Sequence, residues 1–428
     1  MVTAEIIATH VNAQRGMADT LFDALRRDGA ANLGVSRDPY GPGEQRAHTT
    51  VTRAAHTLGL AITQDAAANT YMTWAGKNPH APKIIIGSHL DSVPNGGNFD
   101  GAAGVVAGLA AVAALQQAGV QPECDVTIMA IRAEESIWFQ VSYLGSRGAL
   151  GTLPPGAMEA KRIDTNRSLA EHVFECGGDP IPLRAGIRHL DPATIRAFLE
   201  VHIEQAPSLV AAGLPVAICT AIPGNFRHAE ARIIGRNEHV GLARRFRQDA
   251  GLAGAEFHMA LDALWRDHDA RGIPMACTLG KFHTDPAQHG LTVVPGAFTF
   301  SLDMRAYDAA VLAALEHDMH AIITRIEARR GVRFDLGPRA TAAVGQVDPT
   351  IRAGLARAAQ AQGIPTMPLG SPASHDAAAF AAAGVPMGML FIRNENGSHN
   401  PDEAMEIDDF LAATRVLTAW LAEAAGAA

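Results

Sequence analysis

The sequence predicts an α/β protein: a mixed-sheet catalytic domain with helices on both faces, interrupted by a smaller α+β domain. Three observations carry this. Short β-branched runs such as KIIIG at 83–87 and DVTIMAIR at 125–132 read as buried parallel strands. Long helical stretches of small and apolar residues alternate with them. The segment from about 223 to 338 changes texture, with a strictly alternating strand at 296–305. A chain of 428 residues is long enough for two or three such domains.

In chain order, 5–30 and 46–60 have helical apolar spacing, the first reading as an amphipathic helix. KIIIG supplies a strand, and the small residues after Asp100 a long helix. DVTIMAIR is the second strand and 197–201 leads into the third. These strands run into His, Asp or Glu, where ligands of open α/β sheets bind. The middle reads as strand 226–235, helix 240–271, strand 275–283, strand 296–305, helix 308–331 and strand VRFDL. That βαββαβ order makes a split sandwich, bounded at 223–338 and inserted into a domain formed by 1–222 and 339–428. VPMGMLFI at 385–392 is the last buried strand.

Composition excludes several classes. The net charge of −9 without a basic run argues against nucleic acid. The longest stretch free of polar residues, 101–115, falls short of the ~20 residues a bilayer needs. The four cysteines form no CxxC pair, which argues against a thiolate zinc site or a disulfide framework and points to a reducing cytoplasm.

Four strand ends carry the chemistry. GSHLDSV holds His89 and Asp91, and NFDG holds Asp100. His89 reads either as a buried hydrogen-bonded histidine or as a metal ligand whose second ring nitrogen is fixed by Asp91. AEES places Glu134 and Glu135 together after an apolar strand. They read as a solvated pair, or as one metal ligand beside one proton carrier, because adjacent buried acids need a positive partner. EVHIEQ sets Glu200, His202 and Glu204 on one strand face. GSHNPDE brings His399. His89, Asp100, Glu135, His202 and His399 are too many for one metal with an open position. Two metals sharing a bridging Asp would use all five, and their N/O donors suit Zn, or Mn, Co or Ni. Glu134 is then free as general base.

These motifs, with LGSRG at 144–148, EVHIEQAPSL, VVPGAFTFSLDMR, SHDAAAF and GSHNPDE, resemble the hydantoinase/carbamoylase branch of the di-metal aminoacylase and carboxypeptidase-like amidohydrolases. That branch holds N-carbamoyl-L-amino-acid hydrolases, β-ureidopropionases and allantoate amidohydrolases. The resemblance covers nearly the whole chain. It implies two divalent ions per chain, one on Asp100, Glu135 and His399, the other on His89, Asp100 and His202, with Glu134 as base. It implies that the inserted domain is a lid that forms a homodimer and completes the partner's site. It assigns His239 to the scissile carbonyl and Arg305 to the substrate carboxylate, with Gln205 as a further substrate contact. The bland readings are that Arg305 pairs with Asp303 and that Gln205 stabilises the His202 loop.

The chain departs from the family pattern at Thr292, where Asn is usual, in the segment after His239, and at Ser136 and Trp138. The expected activity is hydrolysis of a linear amide or ureido bond in a small substrate with a carboxylate. An N-carbamoyl-L-amino acid is the default, giving amino acid, CO2 and NH3. Allantoate, another N-acyl amino acid or a dipeptide is the alternative, and a non-catalytic metal-containing binding protein the rival of another class.

Overall fold

An eight-stranded mixed sheet organises the first unit of the chain. The computed structural model describes residues 2–426. Its strands are β1 (Ala61–Gln64), β2 (Thr70–Trp74), β3 (Lys83–His89), β4 (Val126–Ile131), β5 (Ile195–Ile203), β6 (Val216–Cys219), β7 (Thr366–Leu369) and β8 (Met387–Ile392). They lie in the order β1-β2-β4-β3-β5-β8-β6-β7. The centre is parallel: β4 with β3, β3 with β5, and β5 with β8. β1 and β2 join antiparallel at one side, and β6 runs antiparallel to β8 at the other.

Strand alternation divides the core. Ile84, Ile86, Val126 and Ile128 face one cluster with Val105, Val106, Leu109, Phe410 and Leu417. Ile85, Met129, Phe198 and Met389 face another with Leu150 and Phe380. Helices therefore cover both faces. The helix Ala102–Gln117 is buried from Ala102 to Leu115, which explains why its sequence has no polar face. Each Val or Leu buried there contributes roughly 1.5–3 kcal/mol. At the N-terminus, the continuous helical spacing over 5–30 resolves into two helices, Ala4–Asn12 and Arg15–Asp28.

The second unit is Pro223–Gly345, and the first comprises the chain up to Ile222 and from Gln346 on. The sequence reading returned to the first domain at 339. The boundary lies later because Ala340–Ala342 adds a short strand to Gly224–Ile234 within the second unit. The antiparallel sheet there has Met275–Thr278, Ala297–Ala306, Gly224–Ile234 and Arg333–Asp335 in that order. Ala297–Ala306 alternates between buried and half-buried along its length. Phe226, Phe257, Phe300, Met319 and Ile323 form the core between this sheet and helices Ala250–Ala270 and Ala309–Arg330.

Two expected elements change. The helix read as 240–271 starts only at Ala250, where the Asp249 side chain accepts the Leu252 amide. The residues before it form a short strand, Glu238–His239, and a 3-10 turn, Arg244–Phe246. The strand read as 275–283 is two pieces, Met275–Thr278 and Phe282–Thr284. Both pair with Ala297–Ala306.

Candidate metal centre

The carboxyl ends of β3, β4 and β5 and the loop after β8 supply one cluster. Asp100 Oδ1 lies 3.3 Å from His89 Nε2 and 3.2 Å from His202 Nε2. Its Oδ2 lies 3.4 Å from His399 Nε2, which is 3.3 Å from Glu135 Oε1. Two three-residue groups thus share Asp100: His89, Asp100 and His202, and Asp100, Glu135 and His399.

Local backbone geometry sets this convergence. Gly101 holds φ +65°, and a Cβ there would come within 2.6 Å of the His89 ring. Only glycine lets the Asp100 turn approach that imidazole. Ala133, Gln205 and His399 also have positive φ, at 52°, 66° and 61°. Each such non-glycine residue costs of order 1–3 kcal/mol, and such strain gathers where side chains must be aimed.

The donor set fits divalent cations. His89 Nδ1 lies 3.1 Å from the Asp91 carbonyl, and His202 Nδ1 lies 2.9 Å from the Ile203 carbonyl. With Nδ1 donating to a carbonyl, Nε2 carries a proton to Asp100 in the metal-free protein, and losing it to a cation would free lone pairs that face Asp100 and, at 3.4 Å, each other. Electron-rich nitrogen and oxygen atoms that converge in this way need a cation between them, and their lack of sulfur suits Zn, Mn, Co or Ni.

The charges agree. Burial opposes ionisation of Asp100, yet hydrogen bonds from His202, His399 and His89 hold its carboxyl well below the usual range. Burial disfavours the imidazolium of His89 and His202, but contacts with Asp100 raise both above the ordinary value. His399 is pushed up to about 11 by hydrogen bonds to Asp100 and Glu135.

Asp91 does more than orient His89. Its carboxylate oxygens each accept a backbone amide at 3.0 Å, from Glu134 and from Glu135. Its carboxylate stands 3.4 Å from His89 Nδ1, farther than its own carbonyl. Asp91 therefore joins the His89 turn to the Glu134–Glu135 turn. Glu134 is half-buried. Burial, then its acidic neighbours Glu135, Asp376 and Asp91, push its carboxyl well above the usual range against the opposing effect of His89.

Gln205 belongs to the cluster. Its Nε2 donates to Asp100 Oδ2 at 2.8 Å, while its buried Oε1 has no hydrogen-bond partner. On β5, the other two EVHIEQ acids are buried for structural reasons. Glu200 accepts from Ser88 Oγ and the Ala377 amide, and Glu204 caps the amides of Ser208 and Leu209.

The remaining expected site residues lie in the second unit. His239 and Thr292 come together: His239 pairs with Val293, and the Thr292 carbonyl accepts the Val240 amide at 2.9 Å. Both side chains are exposed. Arg305 forks onto Asp303 at 3.0 and 3.1 Å, and Asp303 also accepts from Arg227. The pairing anticipated as the bland reading of Arg305 is present. Trp138 faces inward: its indole donates to the Ser92 carbonyl at 2.9 Å, and Arg162 stacks on the ring.

Sequence reasoning missed the residues behind the cluster. Ser398 Oγ lies 2.5 Å from Asp100 Oδ2 and 2.6 Å from Glu403 Oε2. Glu403 accepts the Phe99 and Asp100 amides at 2.8 and 3.3 Å. Both sit in GSHNPDE, where the histidine drew the attention. Arg37, fully buried, donates to the Leu90 carbonyl at 2.6 Å and to Asn98 at 3.3 Å. Glu44 takes the Ala133 amide and pairs with Arg132, both at 2.9 Å. Nothing local in the sequence marks either residue.

Comparison with known proteins places the chain. The N-carbamoyl-L-amino acid amidohydrolase of Geobacillus stearothermophilus is 34% identical over 90% of this chain and 93% of its own. Allantoate deiminase 2 of Glycine max is 28% identical, covering 94% and 90%. The crystal structure of a hydantoinase/carbamoylase family amidase from Burkholderia ambifaria superposes with TM-score 0.83 at 28% identity, covering 97% and 98%. The chain is thus an enzyme, a hydrolase of carbon–nitrogen bonds other than peptide bonds in linear amides, and the non-catalytic reading is set aside. With a profile match over residues 85–423, the chain belongs to the metal-dependent peptidase family M20/M25/M40, among its amidohydrolases of the carbamoylase and allantoate amidohydrolase type.

Proposed function

We propose that the protein hydrolyses the ureido bond of an N-carbamoyl-L-amino acid at a binuclear metal centre, giving amino acid, CO2 and NH3. The observation that carries this is the pair of donor groups sharing Asp100, with Glu134 next to Glu135 on the turn that Asp91 anchors. One ion would be held by Asp100, Glu135 and His399, the other by His89, Asp100 and His202. Two divalent ions there would acidify a water molecule and polarise the carbonyl.

The chain's own residues do the rest. Glu134 takes the proton of the attacking water and delivers it to the leaving nitrogen, so the C–N bond breaks to a neutral amine. Burial raises the proton affinity of Glu134 in the metal-free protein, and bound cations would lower it toward the range of a working base. The released carbamate then loses CO2 to give NH3. Gln205 orients substrate from the edge of the cluster; its unpaired Oε1 is an acceptor suited to a ureido N–H. His239 hydrogen-bonds the scissile carbonyl oxygen, Thr292 beside it orients the substrate, and Arg305 binds the substrate carboxylate as a fork. We infer a homodimer in which the second unit acts as lid and supplies these residues to the partner's site. The four cysteines are free thiols, compatible with a reducing cytoplasm.

Allantoate remains the second reading, because an allantoate deiminase matches over 94% of the chain and Thr292 replaces the usual substrate-orienting Asn. The test is turnover by chelator-stripped protein reloaded with Zn, Mn, Co or Ni. Release of amine and ammonia from N-carbamoyl-L-amino acids supports the first reading. Ammonia from allantoate alone selects the second. Amine without ammonia, from N-acyl amino acids or dipeptides alone, overturns both.

A further inference from the structure

A cavity of about 980 Å3 opens in the second unit, lined by none of the residues named above as catalytic or metal-binding, though its wall begins in the loop that follows His239. Arg244, Arg245, Arg247, Arg329 and Arg330 line it, together with the start of helix Ala250–Ala270 and the end of helix Ala309–Arg330. In a chain of net charge −9, five guanidinium groups around one hollow are out of character.

Their partners separate them. Arg329 and Arg330 share the carboxylate of Glu256. Arg247 donates to the carbonyls of Leu242 and Val240, which ties the loop but neutralises nothing. Asp249, the remaining acid in the wall, is used as the cap of helix Ala250–Ala270. Arg244 and Arg245 are exposed and have no acidic partner among the described residues; Arg245 stacks over Phe246. Local structure thus accounts for three of the arginines and leaves two unexplained, aimed at the same space.

We propose that this cavity binds a small molecule bearing several anionic oxygens. Guanidinium forks match phosphate and carboxylate oxygens bidentately, and the volume is that of a small-ligand pocket. A half-open hollow confined to one unit suits such a molecule better than a nucleic acid, which needs a continuous basic stripe. The shared chemistry is the anionic oxygen cluster, and its source is either a phosphate or a polycarboxylate.

The experiment uses the metal-loaded, full-length protein and titrates it with inorganic pyrophosphate and, separately, with tricarballylate. Heat of binding is compared with that of Arg244→Ala/Arg245→Ala and of a control, Arg266→Ala/Arg271→Ala. The control removes two exposed arginines of the same region that pair with Asp262 and Asp267. Chelation at the metal centre is common to all three proteins and cancels. The expected result is binding of one of the anions that weakens at least tenfold in the first variant, and not in the control, and that falls as salt rises. Arg244→Lys/Arg245→Lys should bind with intermediate affinity, since charge survives and the fork does not. Equal binding by wild type and Arg244→Ala/Arg245→Ala, or no binding of either anion, overturns the proposal. The anion that binds identifies the source.

Discussion

The Nε2 atoms of His89 and His202 face each other at 3.4 Å, each ring carrying a backbone carbonyl on its other nitrogen. Two lone pairs so placed repel unless a cation or a proton lies between them. Asp100 is the carboxylate common to this pair and to the Glu135–His399 pair. Its removal should therefore cost more than that of any single histidine. The metal content of purified, reloaded protein should be two ions per chain in the wild type, reduced to one in His89→Ala and to none in Asp100→Ala. Elemental analysis reads this directly. Two ions retained by Asp100→Ala would show that the shared carboxylate bridges nothing.

Glu134 should be separable from metal binding. Its amide is fixed by Asp91, but its side chain belongs to neither donor group. Glu134→Gln keeps the shape and removes the proton carrier. Turnover should fall by roughly 10^2–10^4, the range for general acid–base groups, while the metal content stays at wild-type level. A variant with unimpaired kcat would remove Glu134 from the mechanism.

Metal loading should release protons. In the metal-free protein His399 is held protonated up to about 11 by Asp100 and Glu135, above its ordinary 6.5. Because the folded value is raised, this pairing stabilises the metal-free fold fully below 6.5. The contribution is lost as pH climbs from there through 11. A cation must displace that proton, so affinity should rise with pH between about 7 and 9. Titrating Zn into stripped, weakly buffered protein at pH 7.5 should acidify the solution. No acidification would mean that the imidazoles are already neutral.

What could be read from the sequence divides along physical lines. Much of the donor cluster was legible because its residues sit at the ends of apolar strands, where a charged side chain needs a reason: His89 after KIIIG, Glu135 with its neighbour Glu134 after DVTIMAIR, His202 within EVHIEQ. Strand periodicity also gave the sheet, since residues such as Ile84 and Ile85 pack on opposite faces. The supporting residues were not legible. Arg37 and Glu44 act on backbone groups 53 and 89 positions away, and no local pattern announces such a partner. The start of helix Ala250–Ala270 was misplaced for a related reason. The residues around His239 have helical composition, but their backbone pairs with Val293–Val294 through a contact distant in sequence.

Arg37 makes the last point testable. The loop from Leu90 to Asp100 joins two members of the donor cluster, His89 and Asp100, and Arg37 fills its inside. Its guanidinium holds the Leu90 carbonyl and Asn98, and its backbone exchanges hydrogen bonds with Ser92. Arg37→Met would keep much of the volume but leave a buried carbonyl and a buried amide oxygen without their donor. Each such loss costs about 1–3 kcal/mol, so stability should fall by about 2–6 kcal/mol. A purely structural role would lower the melting temperature equally with and without metal. If Arg37 spaces His89 from Asp100, the metal-free protein should lose less than the loaded one, because looser ligands bind the ion more weakly and so return less stabilisation. Melting curves in chelator and in saturating Zn, with a chelator-competition measurement of affinity, distinguish the two. Equal shifts with unchanged affinity would leave Arg37 as packing alone.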